Sequence, residues 1–358
     1  MFENMALKFA AWVGTIRDEF KLSVDTATDE MVKFIGFKFW LDTETGVMRT
    51  KPLSSLTGGE VDQLAHFFLG TSFGVNLGFG EGGFRLTVPV MARLVAEFSD
   101  FDFTRLETVE RGRLLDRFIE CAFKGNLAQL RVPVAIVRFL VGCLSPRAGE
   151  AVFDPSFGIG DLLVGASRHA GTLLVGGLEV SILAARLMKL RLAVERFPLM
   201  AGDVGEGGLQ KCGMDWRGKF DLALSFPAFG RRIGQSEPIP ECPSAIADLS
   251  EIQAFVRCVH SLRPGGRMAI VVPDVVLESV AFDEFRKGIS KDVELVLSYA
   301  FDYRVTSFSV PRAPVSVLVL RKRSSTNAPI SEVLLSVDTP PDAAVSAFAD
   351  FRKLHKLW

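Results

Sequence analysis

Val152-Phe153-Asp154-Pro155-Ser156-Phe157-Gly158-Ile159-Gly160-Asp161-Leu162-Leu163 is the stretch from which the fold is read. An apolar run ends in an acid, a proline and two glycines turn the chain, and an apolar helical period then resumes. This is a strand, a tight turn and a helix, with glycine where the backbone must approach a ligand closely. Alone it is weak, because many nucleotide-binding and purely structural turns share it.

Downstream, short β-branched runs alternate with amphipathic helical segments, the signature of βαβ units in a parallel sheet. Strands are expected at Ala151 to Pro155, Thr172 to Val180, Leu199 to Val204, Phe220 to Phe226, Arg267 to Pro273, Val293 to Phe301 and Val315 to Arg321. The last two are joined by Asp302 to Pro314, which has no helical period, so they are expected to pair antiparallel. The fold class is therefore α/β, a seven-stranded Rossmann-like sheet with an antiparallel last strand. After Arg323 come a short strand-like Val333 to Val337 and a closing helix from Pro341 to Trp358.

Upstream, Met5 to Phe20 and Thr104 to Phe123 carry apolar residues at three- and four-residue spacing, so a mainly helical region precedes the sheet. Phe37 to Arg49 reads as a hairpin and Gly74 to Gly83 as a glycine-rich connector, with neither a preceding strand nor a following Gly-Lys-Ser/Thr. The expected division is 1–125, mainly helical; 126–325, the sheet domain; and 326–358, a strand and helix tail.

The formal net charge is −1 over 358 residues, so no global basic field draws the chain to phosphate backbones. Mean hydropathy is +0.27, but no uncharged run of eighteen apolar residues marks a membrane span. The first residues lack a basic segment leading into an apolar stretch, so a cytoplasmic location is expected. Five scattered cysteines, with no Cys-x-x-Cys and no histidine at ligand spacing, imply neither disulfide nor metal. His66, His169, His260 and His355 form no acid-base or metal pattern.

Glu179 ends the second strand about twenty residues after the glycine turn, where a carboxylate can accept hydrogen bonds from both ribose hydroxyls of a nucleoside. Asp203 closes the third expected strand at the same edge, suited to an adenine amino group. No Lys or Arg near the turn would grip a pyrophosphate. A cofactor with ribose and adenine but no phosphate fits these residues.

Asp154-Pro155-Ser156-Phe157-Gly158-Ile159-Gly160 resembles the first motif of S-adenosylmethionine-dependent DNA adenine-N6 methyltransferases, most closely the modification subunit of type I restriction systems. Val132-Pro133 is similar to the family's Thr-Pro before the sheet, and Leu262-Arg263-Pro264-Gly265-Gly266-Arg267 and Val272-Pro273-Asp274 also fit. The resemblance implies S-adenosylmethionine as cofactor, held by Pro133, Asp154, Ser156, Gly158, Gly160, Glu179 and Asp203. It also implies DNA as a ligand and a specificity or methyltransferase subunit as partner.

The family's fourth strand ends in Asn-Pro-Pro-Phe; here the register gives Phe226-Pro227-Ala228-Phe229. The asparagine and the next carbonyl accept hydrogen bonds from the adenine amino group, and Phe226 offers no acceptor. Losing such a contact costs on the order of hundreds-fold in rate. Pro227 keeps its carbonyl and Phe229 a ring on which a flipped base can stack. Ser225 lies one position early, on the other strand face.

Three readings stay open: an adenine-N6 methyltransferase-like protein with impaired or lost catalysis, an inactive scaffold or regulatory subunit, and a methyltransferase with another acceptor. Neither the residues after Arg323 nor the stretch between Asp203 and Phe226 is large enough to read a base sequence, so sequence specificity is expected from a partner or is absent. Arg231-Arg232 and Arg321-Lys322-Arg323 are minor candidates for phosphate contact.

Overall fold

A computed structural model describes residues 2–44, 52–80, 82–122, 131–171, 173–206, 216–233, 242–301, 314–325, 334–336 and 339–358. In chain order its elements are α1 (Phe2–Phe20), α2 (Val24–Thr43), α3 (Gly58–Gly70), α4 (Ser72–Asn76), α5 (Val88–Glu97), α6 (Thr108–Ala122), α7 (Val134–Leu144), β1 (Ala151–Asp154), α8 (Asp161–Ala170), β2 (Leu174–Glu179), α9 (Ile182–Val194), β3 (Leu199–Glu206), β4 (Phe220–Ser225), α10 (Ser244–Ala247), α11 (Ser250–Ser261), β5 (Leu262–Pro273), α12 (Val275–Glu278), α13 (Asp283–Ile289), β6 (Val293–Phe301), β7 (Val315–Lys322), β8 (Leu334–Ser336) and α14 (Pro341–Leu354). They divide into two compact units, Met1–Leu127 with Ile182–Phe197, and Ala128–Ser181 with Pro198–Trp358.

The first unit is helical and packs on aromatic rings. Phe9 stacks on Phe98 with centroids 4.3 Å apart, and Phe101 meets Phe103 edge-on at 4.8 Å. The hairpin expected from Phe37 is instead the end of α2, which continues to Thr43; 45–51 lie outside the described residues. From Met31 to Asp42 every residue of α2 is buried, so no polar stripe reveals the helical period, and Phe37-Lys38-Phe39 imitates a strand's alternation. Lys38 is fully buried and donates to the Asp42 carboxylate and the Phe101 carbonyl, each at 2.5 Å.

The glycine-rich run is partly helical: Gly74 lies in α4, where a Cβ would sit 2.2 Å from the Phe68 carbonyl oxygen. α9 belongs to this unit through Arg186, which donates to Asp29 at 2.7 Å and to the Gly78 carbonyl at 2.9 Å, and Arg191, which donates to Asp116 at 2.8 Å.

The second unit carries one sheet in the order β3-β2-β1-β4-β5-β7-β6-β8. β7 runs antiparallel to both neighbours, β5 and β6, and the other pairings are parallel. The reversed strand is the one expected from the helix-free connection before it. The sheet has eight strands rather than seven, because β8, read as part of the tail, adds to the β6 edge. Burial fits the β-branched runs, with every residue of β1 and β4 buried. α14 closes on α7 at Gly142, where a Cβ would meet Val345 at 2.8 Å.

The cluster at the end of β7 is committed to the fold. Arg321, 5% exposed, donates to Glu294 at 2.8 Å; Lys322 donates to the Val259 and Leu262 carbonyls, and Arg323 to Glu294 at 2.9 Å. Arg323 keeps a half-exposed side chain beside its ion pair, while Arg321 is held within the sheet. Among the described residues no helix is long and apolar enough to cross a membrane.

Candidate functional site

The turn after β1 takes its shape from three glycines. Gly158 and Gly160 have φ of +55° and +82°, the left-handed region that a side chain disfavours, and Gly160 caps α8. Gly177, on β2, lets that strand close on the turn: a Cβ there would lie 2.5 Å from the Asp154 carbonyl oxygen and 2.7 Å from the Phe157 ring. The Phe157 amide donates to the Leu178 carbonyl at 3.2 Å, and Gly160 to the Phe157 carbonyl at 2.8 Å.

Two buried carboxylates stand on this turn. Asp154, 2% exposed, accepts the Ser156 amide at 2.9 Å. Glu179, 9% exposed, accepts the Gly158 amide at 2.9 Å and the Ser181 amide at 2.8 Å, and so ties β2 to the glycine turn. Burial pushes the Asp154 carboxyl up to about 8, the Glu179 charge adds to it, and the Ser156 amide opposes it. Burial also raises Glu179, against the amides of Ser181, Gly158 and Val180. The Ser156 hydroxyl oxygen is buried without a hydrogen-bond partner among the described residues.

Pro133 caps α7, and the segment before it is fixed to the turn by Asp161, whose carboxylate accepts the Val132 amide at 2.9 Å and the Arg131 Nε at 3.0 Å. Asp161 thereby brings the Val132-Pro133 segment to the start of α8. Asp203 is not the last residue of its strand, since β3 runs on to Glu206; only its backbone is described.

At the end of β4 the Phe226 and Phe229 rings meet edge to face, centroids 5.8 Å apart at 77°. Pro227 between them is buried, and Ala228 is exposed. Ser225 is fully buried with no partner for its hydroxyl among the described residues. β1 and β4 are adjacent in register, Phe153 beside Ala223, so the glycine turn and the aromatic pair leave the same edge of neighbouring strands.

Sequence reasoning missed four residues. Gly177 looks like an ordinary strand glycine, although the pair Gly176-Gly177 inside a strand signals close backbone approach. Val180, directly after Glu179, is 75% exposed and leaves an apolar side chain at the carboxyl end of β2. Ser250 and Glu251, at the start of α11, reach back to the Phe226 loop, a pairing that no local spacing announces.

The sheet order with its single reversed strand, a glycine turn after β1 and an acid closing β2 together define a class I S-adenosylmethionine-dependent methyltransferase fold. Within that class the chain belongs to the N-6 DNA Methylase family, which residues 114–345 match. S-adenosylmethionine is the cofactor this membership implies.

The chain is 24% identical over 190 residues to the methylase subunit of the type I restriction enzyme EcoEI from Escherichia coli. That match covers 49% of this chain but 37% of the subunit, so the chain spans well under two thirds of that relative. A type I modification subunit from Vibrio vulnificus superposes with a TM-score of 0.66 at 15% identity, covering 96% of this chain and 90% of that one. The type I methyltransferase subunit from Streptococcus thermophilus gives 0.61 at 14%, covering 97% and 93%. A class I methyltransferase from Listeria monocytogenes gives 0.60 at 15%, covering 91% and 97%.

Proposed function

We propose that this chain binds S-adenosylmethionine in a modification-type assembly with DNA and a specificity or methyltransferase subunit, and that its adenine-N6 methylation is impaired or lost. The observation that carries this reading is the Phe226 ring packed against Phe229 just after β4, at the position where the sequence resemblance puts the family's asparagine. A hydrocarbon ring cannot accept from an adenine amino group, so the nitrogen lone pair loses the contact that would orient it toward the methyl.

The residues present suit the cofactor. Glycines at positive φ leave room for it at the turn, the Ser156 hydroxyl, without a partner among the described residues, offers a polar contact, and the buried Asp154 and Glu179 carboxyls offer hydrogen-bonding groups to a ligand that carries a ribose. Pro133, Asp154, Ser156, Gly158, Gly160, Glu179 and Asp203 would hold it, Asp203 at the adenine. When bound, the cofactor supplies an electrophilic methyl group on a sulfonium. Pro227 contributes a carbonyl and Phe229 a ring to the acceptor side; Phe226 contributes neither donor nor acceptor.

The test is calorimetric titration with S-adenosylmethionine, using Asp154→Ala and Glu179→Ala as controls, followed by transfer of labelled methyl to DNA by the parent and by Phe226→Asn. Binding abolished in both controls, with transfer rising from background only in Phe226→Asn, supports the proposal. Efficient transfer by the parent would refute the loss of catalysis, and absence of binding would leave only a scaffold.

A further inference from the structure

The loop that carries the altered motif has lost its polar side chain, yet the segment from Ala245 to Glu251 grips it at five residues. The Ser250 hydroxyl donates to the Ala228 carbonyl at 2.5 Å, and the Ser250 amide to the Arg231 carbonyl at 2.8 Å. The Gly230 amide donates to both Glu251 oxygens, at 3.0 and 3.2 Å, and the Ile233 amide to the Asp248 carbonyl at 3.1 Å. Arg232 adds an ion pair to Asp248 and a bond to the Ala245 carbonyl at 3.0 Å. Gly230 itself sits at φ +65°, so the loop is held in a conformation few residues adopt.

Glu251 is the informative member. It is 3% exposed, and among the described residues its contacts are the neutral Gly230 amide and the Ser250 hydroxyl at 3.2 Å rather than a cation. Taking a carboxylate out of water onto neutral partners is expensive, and an apolar residue of similar size would pack there at less cost. Generic stability therefore does not account for it; control of the loop backbone does.

We infer that Ser250 and Glu251 are positioning residues that hold Pro227, Ala228 and Phe229 as a preformed platform for a flat nucleobase, kept although Phe226 has removed the amide acceptor. The inference rests on the proposed base-side reading of this loop and adds the residues that maintain it. Neither residue touches the base; both act through the backbone of 228–231.

The test compares the full-length parent with Glu251→Leu, Glu251→Gln and Ser250→Ala by three measurements. These are amide hydrogen exchange across 226–233, calorimetric affinity for S-adenosylmethionine, and fluorescence titration with a short single-stranded oligonucleotide containing 2-aminopurine. Glu251→Leu is expected to speed exchange in 226–233 about tenfold and to weaken oligonucleotide binding about as much, with cofactor affinity unchanged. Ser250→Ala should act in the same direction, and Glu251→Gln, which keeps an acceptor, should recover most of the loss. Exchange in 226–233 that Glu251→Leu leaves unchanged would overturn the positioning role. So would a general rise across β4 and β5 with loss of cofactor binding, which would mark a purely structural residue. A parent that never changes 2-aminopurine fluorescence would overturn the base platform, while the exchange data still decide the clamp.

Discussion

At the scale of single residues, the positions of Asp154 at the end of β1 and of Phe226 just after β4 were legible because each belongs to a short run of fixed order, strand then turn. Glu251 was not. An acid in the first turn of a helix normally reads as an exposed partner of the helix dipole, and its target, Gly230, lies 21 residues away. Asp154 supports a prediction with a definite sign. Its carboxyl rises from 3.8 to about 8 in the folded chain, so its compatibility with the fold is complete below pH 4, where both states are protonated. Between pH 4 and about 8 the unfolded chain ionises while the folded one does not, and stability is lost through that window. Asp154→Asn removes the loss. Melted without cofactor at pH 5 and pH 8.5, the variant should gain on the parent at the higher pH; parallel profiles would show that Asp154 ionises as freely in the fold as in water.

At the scale of elements, the strands were legible because β-branched runs bounded by turns survive translation into a buried parallel sheet. α2 was not, because burial on all sides erases the polar stripe that marks a helix, and Lys38 and Asp42 look like surface charges until they pair inside. Asp42→Ala should therefore cost roughly 3–5 kcal/mol by leaving the Lys38 ammonium buried without its carboxylate, whereas Lys38→Met with Asp42→Leu should recover most of it. Denaturant midpoints with m-values measure both, and a double variant no better than Asp42→Ala would discredit the pairing argument. Gly177→Ala belongs to the same scale. Its Cβ would press on a backbone oxygen that cannot swing away, so a loss of about 1–3 kcal/mol and weaker cofactor binding are expected. A variant within about 0.5 kcal/mol of the parent would mean that β2 and the turn are not in the close contact seen.

At the scale of the whole molecule, α9 illustrates what local pattern cannot supply. By sequence it is the crossover helix between β2 and β3, but its arginines find Asp29 and Asp116, which ties it to the N-terminal helices. Charge is another whole-molecule property, and it bears on the proposed contact with DNA. The net charge is −1, and Arg321, Lys322 and Arg323 are spent on Glu294 and on main-chain carbonyls. Each phosphate neutralised contributes about −0.9 to the slope of log affinity against log salt on duplex DNA. The isolated chain should therefore bind duplex weakly, with a slope shallower than about −2. Arg321→Ala should lower the denaturation midpoint by leaving Glu294 short of a partner in the sheet, without changing DNA affinity. Fluorescence anisotropy with a labelled duplex between low and moderate salt measures both slope and affinity. A slope of about −5 or steeper would mean that the chain presents a basic face to duplex despite its net charge of −1. A shallow slope would leave affinity for duplex to be supplied by a second subunit carrying the missing cations.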